Sequence, residues 1–395
     1  MVTDKELAGL QAQIGSCLPD YLADLERLVN IDCGSYTKSG VDEVGRWVAG
    51  QLRELGADVK AIPHDTLGET VVGVLEGSGR GRALLVGHMD TVFGEGTAKE
   101  RPFVIDDGRA YGPGVDDMKG GLLTGLYALR ALRATRGGGA VADWLPFERL
   151  TFVANPDEEI GSPSSTPHIE NAARDATVAF VLESARENGD IVSERKGIAE
   201  FRITVNGRAA HAGVEPEKGR SAVLEAAHKI VALHELNGRW PGVTVNVGVV
   251  NAGTRPNIVA ESCVMDVDVR AKTPAEMEAA EAAIRDICGV STVADTSCVI
   301  ERSIGWEPMH KTPAVAALAE LAIALAARVG YELHDASTGG ASDANTIAGM
   351  GVPTLDGLGP VGGADHAPGE YLEVATIVPR TTLFAALLLS VAEEP

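Results

Sequence analysis

The sequence predicts an α/β fold in which helices cover both faces of a central sheet and a smaller α+β domain is inserted. Two observations carry this prediction. Short apolar segments, typical of buried strands, alternate with longer segments whose apolar residues recur at helical spacing. Polar residues follow directly after several of the predicted strands, and functional groups of α/β sheets gather at that edge.

The first part of the chain supplies the predicted sheet and its flanking helices. Helices are predicted for residues 7–29, 41–55 and 120–132. Strands are predicted for residues 58–62, 70–75, 83–87, 149–154 and 178–182. This alternation favours a largely parallel sheet between two layers of helices.

The character of the sequence changes at about residue 195. From there the predicted order is β-α-β-β-α-β, which is the ferredoxin-like arrangement: 200–205, 221–236, 243–250, 263–270, 274–288 and 297–302. Helices predicted for residues 313–329 and 375–391 then resume the α/β pattern. We therefore expect a first catalytic part at residues 1–194, an inserted domain at 195–308, and a second catalytic part at 309–395.

Composition excludes several classes of protein. The 395 residues carry a formal net charge of −22, from 34 basic and 56 acidic residues, which argues against nucleic acid or an anionic membrane as partner. The N-terminus lacks the pattern of a signal peptide, and no apolar stretch is expected to span a bilayer. The five cysteines are scattered and form no CxxC pair. A cytoplasmic protein is the expectation.

His88 and Asp90 stand at the end of the predicted strand 83–87. Residues two apart in a strand share a face, so the Asp90 carboxylate is placed to orient the imidazole. A metal-ligating histidine is commonly held in this way. The pair alone is a weak signal, because such a spacing also arises by chance.

Further acids and a second histidine occupy comparable places, although each alone has a simpler explanation. Asp117 lies in a Gly-rich turn before a helix, where a helix cap would account for it. The acids at 157–159 and Glu183 each follow a predicted strand, and His366 lies in a loop after a Gly-rich run. Surface turns and a structural loop histidine are the alternatives.

Together these residues form a nitrogen and oxygen ligand set that no cysteine joins. The candidate ligands are His88, Asp117, Glu159, Glu183 and His366. Such a set suits two Zn²⁺ ions, with Co²⁺ or Mn²⁺ as alternatives. A spare acid beside a ligand can then act on the proton of a metal-activated water.

The order of motifs resembles the M20 metallopeptidase family, which includes glutamate carboxypeptidases of the carboxypeptidase G2 type, aminoacylases and deacetylases. The matching segments are GHMDTV (87–92), YGPGVDDMKGG (111–121), DEEIGS (157–162), and Asp365-His366 with Glu370-Tyr371. The resemblance implies a zinc-peptidase α/β/α sandwich with an inserted lid. It implies that His88, Asp117 and Glu183 bind one metal, and that Glu159 and His366 complete the second, with Asp117 bridging.

The same resemblance assigns the remaining roles. It implies that Glu158 is the general base and that Asp90 orients His88. In the segment RAAHAG (208–213), His211 matches a histidine that stabilises the oxyanion in a partner subunit's active site, which implies a homodimer formed through the lid. Asn257 and Arg270 match positions that hold a substrate carboxylate, and Gly340 lies in a matching substrate loop.

The expected activity is hydrolysis of an amide bond to an amino acid that has a free carboxylate, in a short peptide or N-acyl amino acid. The leading alternative is an N-acyl-amino-acid deacylase, and a non-catalytic dimeric binding protein is a minor one. A nucleotide-binding enzyme is disfavoured because no GxGxxG or Walker pattern follows a strand. The segment 302–309 departs from the carboxypeptidase G2 type, whose members carry a basic residue in a similar segment, because here Trp306-Glu307 precede Pro308. A negative Glu307 near the pocket would disfavour an acidic side chain, which argues against strict specificity for a C-terminal glutamate.

Overall fold

The structure is a computed structural model that describes residues 2–392, apart from the side chains of residues 303 and 304. The chain divides into two compact units. Within the described residues, the first contains residues 2–193, 311–337 and 342–392, and the second contains residues 194–310 and 338–341. Each unit has its own apolar core.

The helices and strands are numbered along the whole chain. The helices are α1 (Asp4–Ser16), α2 (Leu18–Val29), α3 (Lys38–Glu54), α4 (Thr97–Glu100), α5 (Gly121–Thr135), α6 (Val141–Trp144), α7 (Thr166–Ala173), α8 (Ala222–His234), α9 (Pro274–Gly289), α10 (Pro313–Val329), α11 (Asp343–Gly349) and α12 (Val374–Ala392). The strands are β1 (Asp58–Ile62), β2 (Thr70–Glu76), β3 (Arg82–His88), β4 (Val104–Asp106), β5 (Arg109–Tyr111), β6 (Arg149–Asn155), β7 (Val178–Val181), β8 (Ile191–Arg195), β9 (Gly197–Asn206), β10 (Thr244–Ala252), β11 (Ser262–Ala271), β12 (Ser297–Trp306), β13 (Asp335–Thr338), β14 (Thr354–Leu355), β15 (Gly362–Gly363) and β16 (Tyr371–Glu373).

The main sheet of the first unit has six strands in the order β1-β2-β6-β3-β7-β14. Strands β6, β3, β7 and β14 are parallel, whereas β1 pairs antiparallel with β2 and β2 antiparallel with β6. The prediction of a largely parallel sheet therefore holds for four of the six strands, and β1 and β2 are the exceptions. The connection between β1 and β2 spans residues 63–69, which is too short for the crossover that parallel neighbours need.

Helices lie on both faces of this sheet. On one face Gly73 and Gly87 let α3 and α5 approach closely, because a Cβ at these positions would lie 2.9 Å from Leu52 and from Leu122 respectively. Helix α7 packs on β3 and β6, and α11 packs on α7, β7 and β14. The predicted α/β sandwich with an inserted α+β domain is thus confirmed.

Helix α12 corrects one expectation. At 19 residues and a mean hydropathy of 1.8 it is long and apolar enough to cross a membrane, although no such stretch was expected. Of its most apolar window, however, 67% is buried within the protein, where it packs against α1, α5 and α10. This is the environment of a core helix.

A smaller sheet of the first unit brings two distant loops together. Its strand order is β15-β16-β5-β4, so the loop after β5 lies beside the turn between β15 and β16. The first loop carries Asp117 and the second carries His366. Candidate ligands far apart in the chain therefore meet at this sheet.

The second unit has an antiparallel sheet of order β10-β11-β9-β12, on which α8 and α9 pack. Its chain order, β9-α8-β10-β11-α9-β12, matches the predicted β-α-β-β-α-β pattern. Inward-facing side chains of alternating strand positions, such as Phe201, Ile203 and Met265, form its core. The outward-facing position between Phe201 and Ile203, Arg202, is exposed, which is the alternation with period two of a sheet with one buried face.

Residues 338–341 were expected in the second catalytic part, but they belong to the second unit. Hydrogen bonds account for this difference. The Lys196 amide donates to the carbonyl of Thr338, and the guanidinium groups of Arg195 and Arg270 donate to the carbonyls of Gly340 and Gly339. These donors lie in the second unit, so residues 338–341 belong to that unit although the flanking residues belong to the first.

Candidate metal centre

The site begins at His88, the last residue of β3, which is 1% exposed. Its Nδ1 lies 2.9 Å from the backbone oxygen of Asp90 and 3.4 Å from the carboxylate oxygen Oδ1 of the same residue. Asp90 therefore does hold the imidazole, but the nearer acceptor is its main chain. With Nδ1 donating, the Nε2 lone pair faces the site.

The Asp90 carboxylate has a second task. Its oxygens accept the hydroxyl proton of Ser35 at 2.6 Å and the backbone N–H groups of Glu158 and Glu159 at 3.1 and 3.3 Å. One buried carboxylate thus links β3 to the turn after β6, which carries the candidate base and a candidate ligand. Ser35 was not found from the sequence, because an isolated serine in a loop gives no signal.

Asp117 lies between the two histidines. Its Oδ1 is 2.9 Å from His88 Nε2, and its Oδ2 is 3.1 Å from His366 Nε2. His366 has a backbone φ of 61°, a left-handed conformation that is uncommon outside glycine and recurs at functional sites. Each oxygen of one carboxylate therefore faces a different imidazole, which is the arrangement a bridging ligand needs.

The two glutamates complete the cluster on opposite sides. Glu159 Oε2 lies 3.0 Å from His366 Nε2, and Glu183 Oε2 lies 3.8 Å from His88 Nε2. The residues form two overlapping groups, and within each group the potential ligand atoms all lie within 4.8 Å of one another. One group is His88 with Glu158 and Glu183, and the other is His88 with Asp117 and Glu159. The structure thus brings together the five candidate ligands and Glu158.

The electrostatics of the cluster reflect an excess of carboxylates. Burial, reinforced by the charge of Glu183, raises the pKa of Glu158 well above its usual range, and burial raises the pKa of Glu183 to about 7. Hydrogen bonds to Asp117 and Glu159 raise the pKa of His366 to about 11. Buried acids that crowd one another in this way favour a proton or a cation among them.

The donors fit a metal. The Glu159 oxygen Oε1 is buried and has no hydrogen-bond donor among the described residues. Imidazole nitrogen with carboxylate oxygen is the donor set that zinc accepts, and residues that would compete as thiolates are absent from the cluster.

The remaining predicted residues lie in the second unit. His211 forms a β-bridge with Ile258, and the Ala212 amide donates to the Asn257 carbonyl, so the segments of His211 and Asn257 lie side by side. His211 is exposed, and its Nδ1 accepts a hydrogen bond from the Gly213 amide at 3.2 Å.

Arg270 and Gly340 also lie close in the second unit. The Arg270 guanidinium contacts the Asp268 carboxylate at 3.1 Å and donates to the Gly339 carbonyl at 2.7 Å. The ion pair with Asp268, two residues earlier in β11, gives this arginine a structural partner within its own strand. The contact with Gly339 ties it to the predicted substrate loop.

Sequence reasoning also missed Asp343, which lies three residues after Gly340 of the predicted substrate loop. Asp343 is 1% exposed and accepts hydrogen bonds from Asn155 and, at 2.6 Å, from the hydroxyl of Ser162. It therefore fixes both ends of the turn that carries Glu158 and Glu159. A buried acid within a helix start resembles an ordinary cap, so the sequence could not reveal this role.

Two imidazoles and several crowded carboxylates at the edge of an α/β sandwich are a donor set that a metal-dependent hydrolase can use. Comparison with known proteins agrees. Residues 84–390 match the model of Peptidase family M20/M25/M40. The chain belongs to this family, and it is a hydrolytic enzyme that acts on amide bonds.

Individual relatives have different activities. Carboxypeptidase G2 of Pseudomonas sp. (strain RS-16) is 29% identical over 378 residues, covering 94% of this chain and 89% of the relative. Acetylornithine deacetylase of Proteus mirabilis is 27% identical over 272 residues, covering 64% of this chain and 67% of the relative. Aminopeptidase PepT of Bacillus cereus shares the fold, with a TM-score of 0.78, 24% identity, and coverage of 97% and 99%.

Proposed function

We propose that this enzyme is a carboxypeptidase of the glutamate carboxypeptidase type, which cleaves the amide bond to an amino acid with a free carboxylate. The observation that carries the proposal is the placement of Asp117, whose two oxygens face His88 at 2.9 Å and His366 at 3.1 Å. A carboxylate shared in this way supports two metal ions side by side. The 29% identity to carboxypeptidase G2 over nearly the whole chain supports the substrate class.

The proposed cofactor is two Zn²⁺ per subunit, with Co²⁺ or Mn²⁺ as alternatives. His88, Asp117 and Glu183 would hold one ion, and Asp117, Glu159 and His366 the other. When bound, such ions lower the pKa of water and polarise a carbonyl.

The protein's own residues would supply the proton chemistry. Glu158 lies beside the proposed ligand Glu159 in the turn after β6, and burial raises its pKa, so its carboxylate is suited to accept a proton from the attacking water and return it to the leaving nitrogen. Asp90 holds the backbone of Glu158 and the ring of His88 in one arrangement. His211 would stabilise the oxyanion, while Arg270, Asn257 and the Gly340 loop would bind the substrate carboxylate.

A deacylase that acts on N-acyl amino acids is the second candidate. The 27% identity to an acetylornithine deacetylase favours it, and the chemistry at the metal centre would be the same. Glu307, at the end of the second unit, also argues against a strict preference for acidic amino acids. The two candidates differ only in the acyl group that the enzyme accepts.

The test is a set of paired substrates assayed with purified protein and zinc. Each pair shares its C-terminal amino acid and differs in the other part, an alanyl residue or an acetyl group, and a third member carries a C-terminal amide. We expect the amide-capped member to be cleaved at least about tenfold more slowly, because it lacks the carboxylate for a charge-assisted hydrogen bond. Faster alanyl substrates support the carboxypeptidase and faster acetyl substrates the deacylase. Equal rates for capped and free substrates would refute both.

We further propose that the enzyme is a homodimer formed through the second unit. Strand β10 is at the edge of its sheet, and α8 exposes Leu224 and Val231 at 52% and 60%. An open strand edge beside apolar side chains suits a second copy of the same surface. Light scattering should give a dimer that Val231→Lys dissociates, whereas Val290→Lys, at a side chain 68% exposed, should not. A monomeric wild-type protein would contradict this proposal.

The proposed compartment is the cytoplasm, and the proposed substrates are small molecules. The five cysteines, Cys17, Cys33, Cys263, Cys288 and Cys298, are free thiols, as is usual in a reducing compartment. The charge of −22 disfavours nucleic acid and anionic membranes as partners.

A further inference from the structure

Glu370 is a buried acid that lies four residues after His366 and is 1% exposed. Its Oε1 accepts the backbone N–H groups of Asp116 at 2.9 Å and Asp117 at 3.1 Å, and its Oε2 accepts that of Gly114 at 2.9 Å. Both oxygens of this side chain are therefore committed to the loop that carries the shared carboxylate.

The loop is held from its carbonyl side as well. Lys119, 1% exposed, donates from Nζ to the carbonyl of Pro113 at 2.9 Å. Gly112 and Gly114 both have positive φ values, so the loop turns sharply between these two contacts. The backbone around Asp117 is therefore held from two sides. The Glu370 carboxylate accepts N–H groups of the loop, and the Lys119 ammonium group donates to the Pro113 carbonyl.

Glu370 also belongs to the turn of His366. Its own amide donates to the carbonyl of Ala367 at 3.1 Å, which closes the turn between β15 and β16. One side chain therefore fixes the position of the Asp117 loop relative to the His366 turn. The distance that depends on this connection is the 3.1 Å between Asp117 Oδ2 and His366 Nε2.

We propose that Glu370 is a positioning residue for the metal centre, which holds Asp117 and His366 at the separation that metal binding needs. Its role parallels that of Asp90, whose carboxylate accepts the amides of Glu158 and Glu159 on the other side of the site. Groups that orient ligands in this way commonly change metal affinity by about 10- to 100-fold. The inference rests on the proposed two-metal function and extends it to a residue that touches neither ion nor substrate.

The test compares zinc affinity in Glu370→Gln, Glu370→Ala and a matched control, Glu373→Gln. Glu373 lies three residues further on and pairs with Arg109 at 2.8 Å, so its substitution removes the same charge from the same segment. Zinc is titrated in competition with a chromophoric chelator, at a temperature where circular dichroism shows each metal-free variant folded. A role in folding alone leaves this affinity unchanged, because unfolded protein does not contribute.

We expect zinc affinity to fall in a graded order. Glu370→Ala loses the three acceptor contacts and should weaken binding by at least about tenfold. Glu370→Gln keeps a carbonyl oxygen for Asp116 and Asp117 but turns an amide donor toward Gly114, so it should recover part of the loss. Affinities in both variants equal to that of Glu373→Gln would overturn this inference while leaving the proposed function intact. A wild-type chain that binds no zinc would overturn both.

Discussion

Buried charges occur in both units of this enzyme, but they are arranged in opposite ways. In the second unit Lys229 and Glu225, 3% and 0% exposed, form an ion pair at 2.9 Å. The remaining acceptor positions of Glu225 receive the backbone amides of Thr292 and Val293 at 2.9 and 2.6 Å. The charges of the pair cancel and both groups have further hydrogen-bond partners, so the pair needs no ligand.

The metal centre of the first unit is neither neutral nor saturated with donors. Glu158, Glu159, Glu183 and Asp117 surround a single buried imidazole, His88, and burial raises the pKa of Glu183 to about 7. A buried acid is stable when hydrogen bonds and opposite charge compensate the cost of leaving water. The comparison teaches that compensated burial marks a structural pair, whereas uncompensated burial marks a binding site.

The largest expected effect is the loss of turnover when the acid Glu158 of the metal centre is replaced by glutamine. Glu158→Gln should lower kcat by about 10³- to 10⁴-fold, because the proton acceptor is lost. The zinc content should remain that of the wild type, since Glu158 is not a proposed ligand. Steady-state kinetics and metal analysis check both statements. Unchanged turnover would remove Glu158 from the proposed chemistry.

The next largest effect should come from removing the metal, which should affect the centre of the first unit and leave the Glu225–Lys229 pair of the second unit intact. Dialysis against a chelator should abolish more than about 99% of activity, and zinc should restore it, because both ions take part in the reaction. Thermal unfolding should shift downward on metal removal, since a ligand that binds only the folded state stabilises it. Activity that survives with no detectable metal would contradict the assignment of the site.

Glu225→Gln should have the reverse profile of Glu158→Gln. We expect a loss of about 3 kcal/mol in the free energy of unfolding, because the Lys229 ammonium is left buried without its partner. The metal content should not change. Denaturant unfolding measures the first quantity, and zinc titration measures the second. A stable Glu225→Gln protein would show that the pair contributes little.

The smallest expected effect is a pH dependence that originates at Glu225. Burial alone would raise the pKa of Glu225, but the Val293 amide, the Lys229 ammonium and the Thr292 amide outweigh it and lower the pKa. A lowered folded-state pKa means that the stabilisation is fully present above the unfolded-state pKa and is lost as pH falls through the folded-state pKa.

The measurement is the free energy of unfolding of the metal-free protein from neutral pH down into the acid range. Metal-free protein is used so that release of zinc does not contribute. The part of the acid dependence that belongs to Glu225 should be absent from Glu225→Gln. Superimposable pH profiles of the two proteins would show that Glu225 titrates alike in the folded and unfolded chains.

Much of the fold could be read from the sequence because its signals are local. The predicted strand 58–62 coincides with β1, and the predicted helix 274–288 lies within one residue of α9. Both are bounded by clear changes of periodicity or by a cap, since Thr273 caps α9. Strand direction was less accessible, because pairing of β2 with β6 joins residues more than seventy positions apart.

Three of the candidate ligands, His88, Glu159 and Glu183, were also accessible, because they stand at or just after the ends of strongly apolar strands. His88 ends β3, and Glu183 lies two residues after the end of β7. What the sequence could not supply was the set of groups that hold those ligands. Ser35, Asp343 and Glu370 look like ordinary loop or cap residues until the chain is folded.

The sequence by itself determined the α/β architecture with its inserted α+β domain and the residue types of the metal centre, since periodicity and motif spacing are properties of neighbouring residues. The motif resemblance implied that Asp117 bridges, but only the tertiary structure gave its distances to His88 and His366 and showed that Glu370 holds the Asp117 loop. These contacts join positions separated by as many as 256 residues. Distances of that kind depend on how the small sheet of β5 and β16 pairs, and local sequence does not encode that pairing.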